Sequence, residues 1–167
     1  MIGYPNTNKD MTIREIMKEA AEFAAQTSSE GIGGPFGAAV IRDGIIISMA
    51  SNRVLRDNDP TAHAEIVAIR EACKILETYD LSGCELVATG APCPMCLSAI
   101  IWANIKKVYY CNDYDEAAQI GFRDDFIFQY LRRNDASDSD PVILERVEVA
   151  EGKTLYDNYV QTNKTIY

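Results

Sequence analysis

Cys84-Glu-Leu-Val-Ala-Thr-Gly-Ala-Pro-Cys-Pro-Met-Cys-Leu-Ser-Ala-Ile-Ile-Trp-Ala103 is the stretch on which the reading of the fold turns. Cys84–Thr89 has the composition of a short strand. From Pro94 to Ala103 follows a helix whose Met95, Leu97, Ala99, Ile100, Ile101 and Trp102 predict that it is largely buried. Strand running directly into apolar helix is a unit of layered α/β architecture. Toward the C-terminus, Lys107–Cys111 reads as strand, Asp125–Arg132 as helix, Val142–Val147 as strand and Lys153–Asn163 as a closing helix. Toward the N-terminus, Ala62, Ile66, Ile69, Cys73 and Leu76 recur with helical spacing, and Pro60 punctuates the start of that segment. Ala38–Arg42 and Ile45–Ala50 are strands joined by Asp43-Gly44, a strong signal for a tight hairpin. Before them, Gly31-Ile-Gly-Gly-Pro-Phe-Gly37 is a loop. The first helix carries Ile13, Ile16, Met17, Ala20, Phe23 and Ala24 on one stripe, with Thr12 and Glu15 as a capping box.

The 167 residues fit one domain, 1–167, with one site. A hydrophobic fraction of 47% supplies a core without disulfides. The net charge of −9, from 16 basic and 25 acidic residues, argues against a general phosphate-backbone binder. No apolar run is long enough to span a membrane, and the first ten residues lack a signal-peptide pattern, so a cytoplasmic protein is expected. Asn134–Asp140 reads as a solvated acidic loop.

His63 is the single histidine of the chain, which excludes any site needing two within one chain. Alone it would be read as a buried, hydrogen-bonded histidine. Its setting changes that: His63-Ala64-Glu65 opens one helix and Pro92-Cys93-Pro94-Met95-Cys96 opens another. One imidazole and two thiolates are good Zn²⁺ ligands, and three protein ligands leave the fourth tetrahedral position for water or substrate. Helix N-termini favour thiolates at Cys93 and Cys96. Zinc would lower the pKa of its water toward about 7, making hydroxide the nucleophile. Glu65 would carry the proton to a ring nitrogen and then to the departing amine. Cys73, Cys84 and Cys111 read as core or strand residues.

The pairing of H-A-E with P-C-x-x-C is the signature of zinc-dependent nucleobase and nucleoside deaminases, so the chain is identified as a member of that superfamily. Gly33-Gly-Pro-Phe-Gly37, Asn58-Asp-Pro-Thr-Ala-His63-Ala-Glu65, Ala68-Ile-Arg-Glu-Ala-Cys73 and Gly121-Phe-Arg-Asp-Asp-Phe126 resemble, within it, the bacterial guanine deaminases. The resemblance implies a three-layer α/β/α sandwich around a central, mostly parallel five-stranded mixed sheet. It implies one Zn²⁺ on His63, Cys93 and Cys96, Glu65 as proton shuttle, and substrate contacts at Asn52, Phe36, Ala64, Asp124 and Tyr167. It also implies a homodimer in which the segment from about 150 to 167 closes the site, of its own subunit or by exchange of the partner's, with a small nucleobase as partner and no nucleic acid. The expected reaction is guanine to xanthine and ammonia.

Ala91 stands where many relatives have Glu, which leaves cytosine, isocytosine or an amino-triazine open as the base. Other readings of the residues remain beside these. Packing alone accounts for Phe36, a helix cap for Asp124, a turn for Asn52, and a free terminus for Tyr167. A tRNA adenosine deaminase shares the two motifs, but only scattered Lys153 and Lys164 lie near the C-terminus, where an RNA grip needs clustered cations. A zinc-stapled interaction module would leave Glu65 without a role.

Overall fold

The computed structural model describes residues 11–133, 141, 142 and 144–161. The chain divides into two compact units, the first ending at Asp125 and the second beginning at Phe126.

In the first unit, α1 (Ile13–Ser29) starts at the expected capping box: Glu15 N–H donates to Thr12 Oγ1 at 3.3 Å and Thr12 N–H to Glu15 Oε2 at 2.8 Å. Then come β1 (Gly37–Arg42), β2 (Ile45–Ser51), α2 (Val54–Asp57), α3 (Ala64–Leu76), β3 (Glu85–Gly90), α4 (Pro94–Trp102), β4 (Val108–Asn112) and α5 (Tyr114–Gln119). Asp43 and Gly44 join β1 to β2 with φ of +51° and +76°, the mirror-image turn that suits the twist of a hairpin.

The strands lie in the order β2-β1-β3-β4. β1 is antiparallel to both β2 and β3, and β3 is parallel to β4. Alternation along β1 and β3 separates two faces. Ala39, Ile41 and Val87 pack with Ile16 and Ala20 of α1. Ala38, Val40, Leu86 and Ala88 pack with Val67, Ala68 and Ala72 of α3 and Ile100 of α4. Side chains such as Ile41, Leu86 and Val87 are fully buried, each stabilising the fold by about 1.5–3 kcal/mol. Helices therefore cover both faces, and the expected three layers are present. Ser48 Oγ ties α3 to the sheet by donating to Ala68 O at 2.7 Å.

Three expectations are corrected. The sheet of the described residues has four strands, and parallel pairing is confined to β3 and β4, the pair that α4 connects. Among the described residues of 142–147 there is no strand, because Val142, Leu144 and Val147 are exposed and pair with no ladder. Nor is α4 largely buried: Pro94, Cys96 and Ile100 are, while Leu97, Ile101 and Trp102 stand exposed, Trp102 at 68%. The helix has one face toward α3 and the sheet, and its composition is apolar all round. Two short helices, α2 and α5, lie outside the sequence reading; α5 begins at a capping box of Asp113 and Glu116 that was legible.

The second unit contains α6 (Asp125–Arg132, beginning at the boundary), an irregular stretch, and α7 (Ala150–Gln161). Tyr130 donates to Val142 O at 3.4 Å across it. Asn163 and Tyr167 fall outside the described residues, as does the acidic loop 134–140. Among the described residues no helix is long and apolar enough to cross a membrane.

Candidate functional site

His63 is the N-cap of α3 and Cys93 the N-cap of α4, so two helix starts converge on one place. The loop before His63 is shaped by Asp59, whose Oδ1 accepts from Thr61 N–H at 2.8 Å and Thr61 Oγ1 at 2.7 Å. The loop before Cys93 is tied to the neighbouring strand and helix. Ala91 N–H donates to Asn112 O at 2.8 Å, and the Tyr114 hydroxyl donates to Pro92 O at 2.9 Å. Cys96 N–H donates to Cys93 Sγ at 3.4 Å, as a cap does.

His63 Nδ1 lies 3.6 Å from Cys93 Sγ and 3.5 Å from Cys96 Sγ, and all three donor atoms fall within 4.8 Å of one another. Ligands at about 2.0–2.3 Å from a common tetrahedral centre stand about 3.5 Å apart. The trio thus fits one zinc ion in both chemistry and spacing. Hydrogen bonding from the Cys96 thiol, then from His63, holds Cys93 down to about 4 against burial. That bond, together with burial, pushes Cys96 up. The Cys93 sulfur raises His63 above the ordinary imidazole value.

Glu65 is buried two residues into the same helix start and stays outside the donor trio. Burial pushes its carboxyl above the ordinary glutamate range. It lines a cavity of about 480 Å³ together with His63, Cys93, Asn52, Phe36 and Asp124. Such a volume accommodates a small planar molecule.

Asn52 is buried, and its Oδ1 accepts from Gly34 N–H at 3.2 Å and Val54 N–H at 3.1 Å. The atom facing two backbone donors has to be the oxygen, so the amide nitrogen remains to serve a ligand, and only as a donor. Gly33 is required beside it, since a Cβ there would collide with the Asn52 carbonyl and side-chain oxygen. Asp124 is half-buried; burial and then the Cys93 thiolate raise its carboxyl above the ordinary aspartate range. Donor and acceptor thus face one cavity.

The structure therefore brings His63, Glu65, Cys93, Asn52, Phe36 and Asp124 to a single cavity, with Cys96 beside them. Ala64 is fully buried as the first residue of α3 and does not line it. Ala91 does line it. Cys73, Cys84 and Cys111 lie outside the donor trio. Phe122 was missed by the sequence reading as a cavity residue, although it sits two positions before Asp124 in the quoted Gly121–Phe126 motif.

The model of the cytidine and deoxycytidylate deaminase zinc-binding region matches residues 11–112. Guanine deaminase of Bacillus subtilis (strain 168) is 48% identical over 121 residues, covering 72% of this chain and 78% of that protein. The X-ray structure of a Bacillus subtilis guanine deaminase superposes with a TM-score of 0.86 at 38% identity, covering 94% of this chain and 99% of that one. The tRNA-specific adenosine deaminase of Aquifex aeolicus (strain VF5) is 50% identical over a shorter 76 residues, 46% of this chain and 50% of that protein.

Proposed function

From the premise that the chain belongs to the zinc-binding cytidine and deoxycytidylate deaminase family, we propose that it hydrolyses guanine to xanthine and ammonia. The observation that carries the substrate is the fixed Asn52 donor set against the Asp124 acceptor in the cavity of His63 and Glu65. Guanine presents ring and carbonyl acceptors as well as ring N–H and amino donors. A site built around a buried acceptor rejects bases that lack the matching donor. Phe36 walls the cavity with a flat apolar face. The net charge of −9 speaks against a tRNA substrate.

His63, Cys93 and Cys96 hold the zinc, which supplies a water acidified enough to act as nucleophile near neutral pH. Glu65 takes the proton of the attacking water and delivers it to the ring nitrogen next to the amino-bearing carbon. It then moves the remaining hydroxyl proton to the amine as the C–N bond breaks and the carbonyl forms, so that ammonia leaves. Asn52 and Asp124 hold the base in register while these transfers occur.

The working form is a cytoplasmic homodimer, with one domain per chain and the segment from about 150 to 167, Tyr167 included, closing the site from either subunit. Exposed Ile101 and Trp102 are apolar surface that such a dimer would cover. Ammonia release from zinc-loaded protein on guanine, cytosine, isocytosine, adenine and guanosine tests the substrate, with Glu65→Gln as control. Guanine turnover lost in the control is the expected result. Turnover of another base alone would replace the substrate and keep the chemistry, and silence on all five would favour the tRNA reading.

A further inference from the structure

Phe122 lies in no helix or strand, yet its ring lines the cavity and meets Phe36 edge to face, with centroids 4.9 Å apart and planes at 89°. This geometry is the favoured one for two aromatic rings. Glycines from two separate segments make room for the pair. A Cβ on Gly34 would stand 3.0 Å from Phe122 Cζ and 3.1 Å from Phe36 Cδ2, and one on Gly90 would stand 3.3 Å from Phe36 Cδ1. Gly34, before β1, leaves room for both rings, and Gly90, at the end of β3, leaves room for Phe36.

The segment that carries Phe122 leaves α5 through Gly121, at φ +98°, and its backbone bonds run back into that helix: Phe122 N–H donates to Ala117 O at 3.1 Å. Asp124 follows two residues later. The ring pair joins this segment to the loop before β1. Phe122 is 44% exposed, so its place in the cavity wall is not a by-product of core burial.

We infer that Phe122 is the positioning residue for the Asp124 carboxylate and, through its ring against Phe36, sets how tightly the cavity grips a planar base. An acceptor carried on a loop selects among bases only when something holds it in place to within a fraction of an ångström. The Phe122–Phe36 contact supplies that restraint. This inference rests on the deaminase reading above.

The test is a kinetic double-mutant cycle on the zinc-loaded protein with guanine, joined to calorimetric binding of xanthine. Phe122→Ala is expected to raise KM and the xanthine Kd about tenfold, the scale of one hydrogen bond to a charged group, with kcat within about twofold and zinc content unchanged. In an Asp124→Asn background the same change is expected to cost under about threefold, because the two residues act as a unit. Phe122→Leu, which keeps apolar bulk and removes the ring, carries the same expectation should alanine loosen the loop. Gly34→Ala, which pushes on both rings, should move KM in the same direction. A wild-type KM in the Phe122 variants, or an undiminished effect in the Asp124→Asn background, overturns the inference and leaves the guanine reading standing. A wild-type protein silent on guanine, whose binding of another base Phe122→Ala still weakens, sinks that reading and keeps the inference.

Discussion

His63, Cys93 and Cys96 stand at the starts of α3 and α4, helices whose inner faces are packed on the sheet, whereas Phe122 and Asp124 stand on a short irregular segment after α5. Both regions line the same cavity. On the first side each donor atom is placed by a helix end, buried neighbours and backbone hydrogen bonds. On the second, a ring contact, the turn at Gly121 and backbone bonds into α5 place the segment, outside any helix or strand. The two kinds of support differ in what they tolerate: the metal-ligating trio is held by helix ends packed on the sheet, whereas Asp124 sits on a loop that can vary without disturbing it.

The largest effect is expected at the helix-borne trio. Cys96→Ala removes a buried donor and should abolish both zinc retention and turnover, read by metal analysis and ammonia release. Glu65→Gln should keep the zinc and lower kcat by about 10²–10⁴, so that metal content and rate separate. A variant still turning over normally would remove Glu65 from the chemistry.

On the loop side, Asp124→Asn should cost about ten- to a hundredfold in kcat/KM for guanine, the scale of a hydrogen bond to a charged group, with zinc retained. Its carboxyl must be ionised to accept two donors, and burial raises its pKa above the ordinary aspartate range. The acceptor form is therefore present above that raised value and lost as pH falls through it. The acid limb of the kcat/KM profile should lie above the range of a free aspartate and shift or vanish in Asp124→Asn.

Tyr114→Phe links the two sides, because it removes the hydroxyl that holds Pro92 next to a donor residue. A loss of about two- to tenfold in zinc affinity is expected, measured by competition with a chelator. The smallest effect on the site comes from Thr12→Ala, at the far end of α1. It should lower stability by about 1 kcal/mol in denaturant unfolding and leave kcat/KM unchanged.

Legibility followed the same division. The zinc trio and Glu65 were readable because each sits within two or three residues of a helix start, where local rules about caps, dipoles and spacing apply. The hairpin at Asp43-Gly44 and the cap at Thr12 were readable for the same reason. The exposure of Leu97, Ile101 and Trp102 was not, since composition states how apolar a helix is and not how many partners surround it. The strand expected near Val142 failed similarly: β-forming residues need a neighbouring ladder, and local pattern does not supply one. The orientation of Asn52 was hidden as well, because its oxygen is fixed by N–H groups of Gly34 and Val54, the first of them 18 residues away.

The residue pattern was enough for the helix starts, the turn chemistry, the donor set for one zinc and the placing of Glu65 beside it. Tertiary structure alone decided that β1 lies between β2 and β3, that His63 meets Cys93 across 30 residues of chain, and that Phe122 closes on Phe36 to bring Asp124 into the same cavity. The physical reason is range. Backbone preferences and caps act over three or four residues, whereas the sheet order that sets distant segments side by side arises from the burial of all its apolar faces at once.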